Sequence, residues 1–358
     1  MGFPRLRQRT VRTRRKPLPP CRSRGQIVVD SGANIPAELV RHYDIRVLSF
    51  INITDGKPLV CFNPDLTIEE ERSRGKEYYD AIRNGMKVQT GLIGCGEFED
   101  CFREICEGGE DVISLSISSG ISGTYNASRI AAETVNDEMT NGHKVYTIDT
   151  MNASLATGIL AIYASEMRAE GKEAEEVAEA IRQMVPRING VFTVDDLRYL
   201  ARTGRLTGSK ALIGNLLSIK PILRGDKEGH IVQYKKCHGR KASLNTLVSL
   251  VCDNIVDPEN QILGIAHADA YEESVYIMNE ITKRIKVRGF INTTYDFCTG
   301  SHVGPETIAL FFLGKDRELS GDGILARAQQ AVSAQIEALR ERERDGHLSP
   351  IPGSGSRI

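Results

Sequence analysis

The segment Val112-Ile-Ser-Leu-Ser-Ile-Ser-Ser-Gly-Ile-Ser-Gly-Thr-Tyr125 decides the fold that this sequence predicts. Its first part, Val112–Ser116, has the composition of a short buried strand, and a helix is expected from about Ser122. Between them lies the serine–glycine loop, defined as residues 118–123, where hydroxyls and glycines are concentrated. The pattern indicates a strand that leads through this loop into a long helix.

The serine–glycine loop is a candidate anion site. A helix N-terminus offers unpaired N–H donors and the positive end of a dipole, and glycines let a ligand approach the backbone. The candidate residues are Ser118, Ser119, Gly120, Ser122 and Gly123. Serine also caps helices without binding a ligand, so capping is the alternative role of these hydroxyls.

The same alternation of strand and helix surrounds this segment. A strand is predicted at Gln26–Asp30, followed by Ser31 and by a helix from Pro36. A further strand is expected at 145–148, and helices at 153–169 and 173–184. Strands that alternate with helices pair in parallel through right-handed crossovers. We therefore expect residues 26–190 to form a layered, mostly parallel α/β domain in which Asp30 and Ser31 support the candidate site.

The pattern changes from about Gly190. Strands are expected at 191–194, 231–235, 262–266, 290–295 and 308–312, and helices at 195–203, 241–256 and 274–286. Because these strands have more varied surroundings, a second α/β domain with a mixed or antiparallel sheet is predicted at 191–315. Residues 316–358 are predicted to form a helical extension and a disordered tail rich in Pro, Gly and Ser.

A polar insert at residues 55–88 interrupts the alternation of strands and helices. A helix is expected at 76–83 within it. Long insertions often form lids or binding loops, but a solvated decoration of the surface is an equal alternative.

Charge is distributed unevenly along the chain. The net charge is −1, yet residues 1–24 contain nine Lys or Arg and no acid, so the remainder is near −10. An acidic body argues against a broad nucleic-acid interface. The leader, residues 1–25, is expected to be disordered, and a regulatory adaptor that binds nucleic acid or anionic lipid through this arm remains a further hypothesis.

No stretch is long and apolar enough to predict a membrane-spanning helix. Eight cysteines occur without a C-x-x-C pair or the spacing of a zinc site, which favours a reduced cytoplasm and predicts no bound metal. Cys101 and Cys106 are expected to pack in the core along one helix, with Cys95 nearby.

Catalytic templates are missing from the sequence. It has no G-x-x-x-x-G-K-[ST], no G-x-G-x-x-G after a strand, no G-x-S-x-G elbow and no H-E-x-x-H. We expect a protein that is not an enzyme and needs no cofactor. The alternative is an esterase or an acyl-phosphate-processing enzyme that uses Ser119 and His302 with Asp30 or Asp149, although no spacing supports such a triad.

Three further side chains are candidates for binding the same anion: Thr90, Arg205 and His302. Arg205 follows Gly204 and could offer a bidentate fork. His302 lies in Gly300-Ser-His-Val-Gly-Pro305, interpreted as a rigid turn. Taken singly, a loop threonine is usually a cap, an arginine is usually on the surface, and a lone histidine is usually structural.

Together the motifs resemble those of the DegV-like fatty-acid-binding proteins, which include the carrier subunits of bacterial fatty acid kinase. The resemblance runs from about Gln26 to Gly314. It rests on Val28-Val-Asp-Ser31, Ser118-Ser-Gly-Ile-Ser-Gly-Thr124, Gly204-Arg-Leu206, Ile219-Lys-Pro-Ile-Leu223 and His302-Val-Gly-Pro305.

The resemblance implies a function. A long-chain fatty acid would lie in an apolar tunnel of the first domain, with its carboxylate met by Thr90, by Ser118 or Ser119, and by His302. Arg205 would lie near the opening, where a partner ATP-dependent fatty acid kinase adds phosphate.

The sequence departs from the family pattern at two places. The T-S-x-P motif is replaced by Thr90-Gly-Leu-Ile93, which removes one hydroxyl and a rigid turn and puts head-group affinity in question. The usual G-P-G is replaced by Gly304-Pro-Glu306. An acid close to His302 is expected to favour the protonated imidazole.

Overall fold

The computed structural model describes residues 25–207 and 219–317. Within these ranges the strands form three sheets. The predicted leader up to Arg24 and the predicted helical extension from Glu318 lie outside the described residues.

The first sheet is the parallel layer that the sequence predicts. It has the order β2 (Ile45–Leu48), β1 (Gln26–Asp30), β6 (Val112–Ser116) and β7 (Val145–Asp149), with every neighbouring pair parallel. Helices α3 (Cys95–Glu107) and α4 (Thr124–Glu138) cover one face, and α5 (Leu155–Ala169) and α6 (Ala174–Met184) cover the other. Burial on both faces explains why β6 is continuously buried.

The second sheet is mixed, as expected. Its order is β10 (Ile231–His238), β9 (Ile219–Gly225), β8 (Ile188–Thr193), β13 (Ile308–Leu313), β11 (Ile262–His267) and β12 (Gly289–Thr294). Only β11 and β12 pair in parallel within it. Helices α8 (Arg240–Asn254) and α9 (Tyr271–Thr282) pack on its outer side, around the buried Val191, Leu263 and Leu310.

Helix α5 joins the two sheets in one core. Its buried side chains cluster both with Val29 and Leu115 of the first sheet and with Phe192 and Phe311 of the second. Close packing requires small residues here, since a Cβ at Gly158 would lie 2.6 Å from the carbonyl oxygen of Ala33. Residues of both sheets therefore share one hydrophobic core around α5.

The insert is more ordered than the sequence predicts. It contains β4 (Lys57–Pro58) and the helix α2 (Ile68–Arg83). The strands that flank it, β3 (Ile51–Thr54) and β5 (Val88–Gly91), pair with each other, and β4 pairs with β3 to complete a small antiparallel sheet. The predicted helix at 76–83 was too short because a capping box at Thr67 starts α2 earlier. Tyr78 donates to the carbonyl of Phe297 at 2.7 Å, and Tyr79 to that of Tyr295 at 3.0 Å, so the insert is anchored to the second half of the chain.

Most predicted elements occur with shifted ends. Helix α1 spans Ala37–Tyr43, and α7 is restricted to Arg198–Arg202. The interpretation of 300–305 as a rigid turn was wrong for most of its length, because α10 (Phe297–Val303) is a helix capped by Asp296. The predicted domain boundary after residue 190 falls within β8, and the division into two domains stays a prediction.

Cysteine packing agrees with the sequence. Cys101 and Cys106 are buried in the cluster between α3 and α4, which confirms their predicted core role. Cys95, at the start of α3, is half-buried.

Candidate functional site

A cavity of about 410 Å³ opens where the loops of the first sheet meet the second sheet. Its volume falls in the range of roughly 300 to 1,000 Å³ that is usual for small-molecule sites. The lining residues come from both sheets, the insert and α10: Phe50, Thr90, Gly91, Leu92, Ile117, Ile121, Ser122, Gly123, Asn152, Ala153, Ser154, Gly190, Phe192, Leu200, Arg205, Gly225, Gly229, Ile231, Tyr295, Cys298, Thr299, His302, Val303 and Phe311.

Much of this lining is hydrocarbon. Phe192 and Phe311 come from adjacent strands of the second sheet, and Ile117 comes from the end of β6. These side chains are buried in the hydrophobic cores on either side of the cavity. Such walls suit a ligand with a large apolar part.

Thr90 and His302 form the polar pair of the cavity. Thr90 Oγ1 and His302 Nε2 lie 2.9 Å apart, within hydrogen-bonding distance. Thr90 is placed by β5, which pairs with β3, and His302 by the last turn of α10. Two residues that the sequence flagged separately are therefore brought together.

His302 is held in its neutral form. Burial and the positive charges of Arg205 and Arg202 lower the pKa of its imidazole to about 4. The predicted effect of Glu306 was wrong, since the pKa moves in the opposite direction and the Glu306 carboxylate pairs with Arg83. His302 Nδ1 is buried and has no hydrogen-bond partner among the described residues. A buried polar atom without a partner is uncommon in native proteins, and a bound water or ligand is one explanation for it.

Arg205 lines the cavity, and its positive charge acts on His302. It follows Gly204, which adopts a positive φ of 73°, and its Nη1 donates to the carbonyl of Thr203 at 2.6 Å. The residue is half-buried.

The serine–glycine loop divides into two parts. Ser122 and Gly123 line the cavity, and the Ser122 hydroxyl lies 2.8 Å from Thr124 Oγ1. Ser118 is fully buried outside the lining, where its Oγ donates to the carbonyl of Gly229 and accepts from the Gly120 amide. Ser119 is exposed, and its amide donates to the Asp149 carboxylate at 3.2 Å.

Ser118 and Ser119, named from the sequence as carboxylate ligands, are thus placed away from the cavity. The Ser118 hydroxyl is occupied by backbone groups, and the Ser119 side chain faces solvent. Ser122 is the serine of this loop that the structure brings to the cavity.

Asp30 and Ser31 hydrogen-bond to the backbone of two residues that line the cavity. Asp30 Oδ2 accepts from the Ile117 amide at 2.7 Å, and Ser31 Oγ accepts from the Phe50 amide at 3.0 Å. Ile117 and Phe50 both line the cavity. Complete burial raises the pKa of Asp30 to about 7.

A second buried acid, Asp296, holds α10. Its Oδ1 accepts from the amides of Cys298 and Thr299 at 2.8 and 3.0 Å, which caps the helix that carries His302. Burial, reinforced by nearby Asp30, raises the pKa of Asp296 to about 7. One carboxyl oxygen of each acid lacks a partner among the described residues.

Several lining residues were not predicted. Asn152 and Ser154 follow β7, Tyr295 precedes α10, and Thr299 lies within it. Met151 and Ser154 adopt positive φ angles of 47° and 56°, a strained backbone that tends to occur at functional sites. Nothing in the sequence marked Asn152 as facing the cavity.

One group of potential metal ligands occurs in the described part of the chain. Ligand atoms of Asp226, Glu228 and His230 lie within 4.8 Å of one another in the turn between β9 and β10. Glu228 and His230 are exposed, and Asp226 Oδ1 accepts from the His230 amide. These contacts hold the turn together without a metal ion, and we assign no metal site there.

A parallel α/β layer packed on a mixed sheet, with an apolar cavity and a Thr–His pair between them, defines an α/β protein with a cavity of the size usual for small-molecule sites. The model of an uncharacterised protein family, DegV, matches residues 24–315. The chain therefore belongs to the DegV family.

Relatives and solved structures agree with this assignment. A DegV domain-containing protein of Clostridium perfringens is 33% identical over 293 residues, covering 82% of this chain and 98% of the relative. The structure of a fatty acid binding DegV family protein from Streptococcus agalactiae aligns with a TM-score of 0.71 and 27% identity, covering 82% of this chain and 99% of that one. DegV from Bacillus subtilis, described as a fatty acid binding protein, aligns with a TM-score of 0.68 and 26% identity, covering 82% and 100%.

Helices within the described residues were also compared with the length and hydropathy of a membrane span. None is both long and apolar enough to cross a bilayer.

Proposed function

We propose that this protein binds a long-chain fatty acid in the cavity and presents its carboxylate to a partner ATP-dependent fatty acid kinase. The observation that carries the proposal is the Thr90–His302 pair set in a largely apolar cavity of about 410 Å³. The fatty acid binding of the Streptococcus agalactiae and Bacillus subtilis family members supports it.

The apolar lining would supply most of the affinity. Burial of an alkyl chain contributes roughly 0.8 kcal/mol per CH₂, so a chain of about 16 carbons has ample driving force before the costs of association. A few polar contacts then need only orient the head group.

The carboxylate would lie against Thr90 and His302. Because Thr90 Oγ1 and His302 Nε2 are hydrogen-bonded to each other, the pair offers one free donor to a carboxylate oxygen. That donor is the Thr90 hydroxyl when Nε2 carries the imidazole proton, and Nδ1–H when Thr90 donates to Nε2. Arg202 and Arg205 add a positive field at this end of the cavity, since both act on His302. The site therefore favours an anion without needing a formal charge on the imidazole.

The protein itself would be a non-catalytic carrier. Phosphoryl transfer requires ATP phosphates to be held by a dedicated loop and Mg²⁺, and the sequence has no such loop motif. ATP would come from the cytoplasm and be bound by the partner. Arg205 lines the cavity and is only half-buried, which suits a role in meeting the transferred phosphoryl group.

The esterase alternative has no geometric support. A serine nucleophile needs a base within hydrogen-bonding distance, but Ser119 is exposed and its amide is held by Asp149, whereas His302 Nε2 faces Thr90. No observation in the described residues favours that reaction.

The proposal is tested by the ligand. Protein made in bacteria is denatured, and the extracted lipid is identified by mass spectrometry; delipidated protein is then titrated with oleate and with oleyl alcohol. We expect about one fatty acid per chain and a clear preference for oleate, since the alcohol lacks the carboxylate. Absence of bound fatty acid together with no oleate binding would refute the proposal.

The kinase step is tested separately with Arg205→Ala. We expect oleate affinity to change less than threefold, while acyl phosphate formation by the partner kinase falls by at least tenfold, about 1.4 kcal/mol. The matched control is Arg129→Ala, which removes an exposed arginine paired with Glu133 on α4. Equal losses of binding and phosphorylation would contradict the placement of Arg205 at the exit.

A further inference from the structure

The turn between β9 and β10, residues 226–230, is docked on the serine–glycine loop. The Ser118 hydroxyl donates to the carbonyl of Gly229 at 2.9 Å and accepts from the Gly120 amide at 3.0 Å. Ser118 is fully buried. One hydroxyl thus ties the first sheet's loop to a turn of the second sheet.

The two backbones touch at glycines. A Cβ on Gly120 would lie 2.6 Å from the carbonyl oxygen of Glu228, and a Cβ on Gly229 would overlap the Ser118 hydroxyl. Gly229 also has a positive φ of 75°. A larger residue at either position would push the turn away from the loop.

Arg317 holds the base of the same turn. Its Nη1 donates to the carbonyls of Met151 and Asp226 at 2.9 and 3.4 Å, and its Nη2 donates to Val185 at 3.2 Å. The base of the turn is therefore held by Arg317, and its tip by Ser118.

The hairpin forms part of the cavity wall. Gly225, Gly229 and Ile231 all line the cavity. Strand β10 is at the edge of the sheet, and β9 pairs with β8 at only three positions, from Val191 to Thr193. Ile222 and Leu223 of β9 are fully buried, whereas Lys227, Glu228 and His230 in the turn are exposed. The tip is therefore the part of this edge hairpin that can open at low free-energy cost.

We propose that Ser118 is a positioning residue that latches this turn, and that release of the latch sets the rate at which ligand enters and leaves the cavity. The inference rests on the proposed function, since it concerns exchange of the fatty acid. It gives the serine–glycine loop a role that does not require contact with the carboxylate.

Exchange kinetics test the gate. A fluorescent fatty acid is mixed with delipidated protein and then displaced by excess oleate, which gives association and dissociation rate constants. Ser118→Ala is expected to raise both about tenfold, the effect of losing one buried hydrogen bond, while the equilibrium affinity changes less than threefold. A merely structural role would weaken affinity without faster association. The control is Ser243→Ala, which removes an equally buried hydroxyl bonded to Arg240 in α8.

A clash variant tests the same contact from the other side. Gly229→Ala is expected to accelerate exchange as Ser118→Ala does, and the double variant to exchange no faster than the faster single variant, because both changes open one latch. Gly239→Ala is the control, since Gly239 has a similar φ of 83° and open space at its Cβ.

Hydrogen exchange of the ligand-free protein separates the latch from the proposed function. Peptides covering 226–233 should lose protection in Ser118→Ala but not in Ser243→Ala. Unchanged protection would overturn the latch, and lost protection with unchanged ligand rates would overturn the gate. Absence of fatty acid binding in the unmodified protein would refute the proposed function and the gate together, while this measurement would still decide the latch.

Discussion

The serine–glycine loop and helix α10 approach the same cavity but use their polar groups differently. In the loop, the Ser118 hydroxyl is bonded to backbone and the Ser122 hydroxyl lies against Thr124. On α10, His302 Nδ1 and Thr299 Oγ1 are buried without a partner in the described chain. The hydroxyls of the serine–glycine loop are therefore satisfied by groups of the protein itself. Helix α10, in contrast, has two buried polar atoms without a partner in the described chain.

The largest expected effect concerns the packing under α10. In Gly300→Ala, the new methyl group would overlap the Tyr79 hydroxyl, which is fixed by its hydrogen bond to Tyr295. We expect the free energy of unfolding to fall by about 3 kcal/mol or more, measured by urea denaturation.

The control for this change is Gly96→Ala in α3, where nothing lies within 4 Å of the added Cβ. This variant should be unchanged or slightly more stable, since alanine favours helix. Equal stability of the two variants would show that the support of α10 is looser than its contacts indicate.

The fold was largely predictable because it depends on period and composition. The buried run at β6 and the alternation around it were enough to predict the parallel layer. The insert was less predictable, since its small sheet depends on pairing between Ile51 and Gly91, which are distant in sequence. The sequence likewise named Thr90 and His302 but could not show which of Ser118, Ser119 and Ser122 faces the cavity, because that depends on how the β9–β10 turn docks.

The next prediction concerns the pH dependence of the free energy of unfolding. It involves one buried acid near each region: Asp30 near the serine–glycine loop and Asp296 at the start of α10. Burial raises both pKa values from 3.8 to about 7, so the folded protein binds more protons than the unfolded chain between these values. Stability from this source is complete below about pH 4 and is lost as pH rises toward 7, with a slope of up to about 1.4 kcal/mol per pH unit for each acid.

Denaturation at several pH values checks this expectation. Asp30→Asn and Asp296→Asn should each reduce the slope of the free energy of unfolding against pH, because each removes one of the two acids. Asp137→Asn on the surface of α4 should leave this slope unchanged. A protein whose stability rises between pH 5 and 7 by the same amount in all variants would contradict it.

A smaller effect is expected on binding itself. Thr90→Val and His302→Gln should each weaken oleate binding by roughly 10- to 100-fold, because a hydrogen bond to a charged group contributes about 1.5 to 3 kcal/mol. Ser119→Ala should have less than a twofold effect, since that side chain is exposed. Isothermal titration measures all three, and a large loss in Ser119→Ala would reverse the comparison between the two regions.

The smallest expected effect is on the pH dependence of binding. A bound carboxylate would raise the pKa of His302 above its free value of about 4, so binding takes up protons and affinity falls as pH rises through the pKa of the complex. Because only one proton is taken up, the oleate affinity can change by at most tenfold per pH unit. Oleate titrations across pH 5 to 8 should show a steeper fall for the unmodified protein than for His302→Gln, and parallel curves would exclude this coupling.

Thr90 and His302 are 212 residues apart in the sequence, and the cavity wall also needs Phe311. During synthesis on the ribosome, the site therefore does not exist until nearly the whole described chain has emerged and folded. A ligand that binds only this finished state stabilises complete molecules and leaves truncated ones unprotected. If the ligand is the fatty acid proposed above, it would stabilise only chains that are complete through β13.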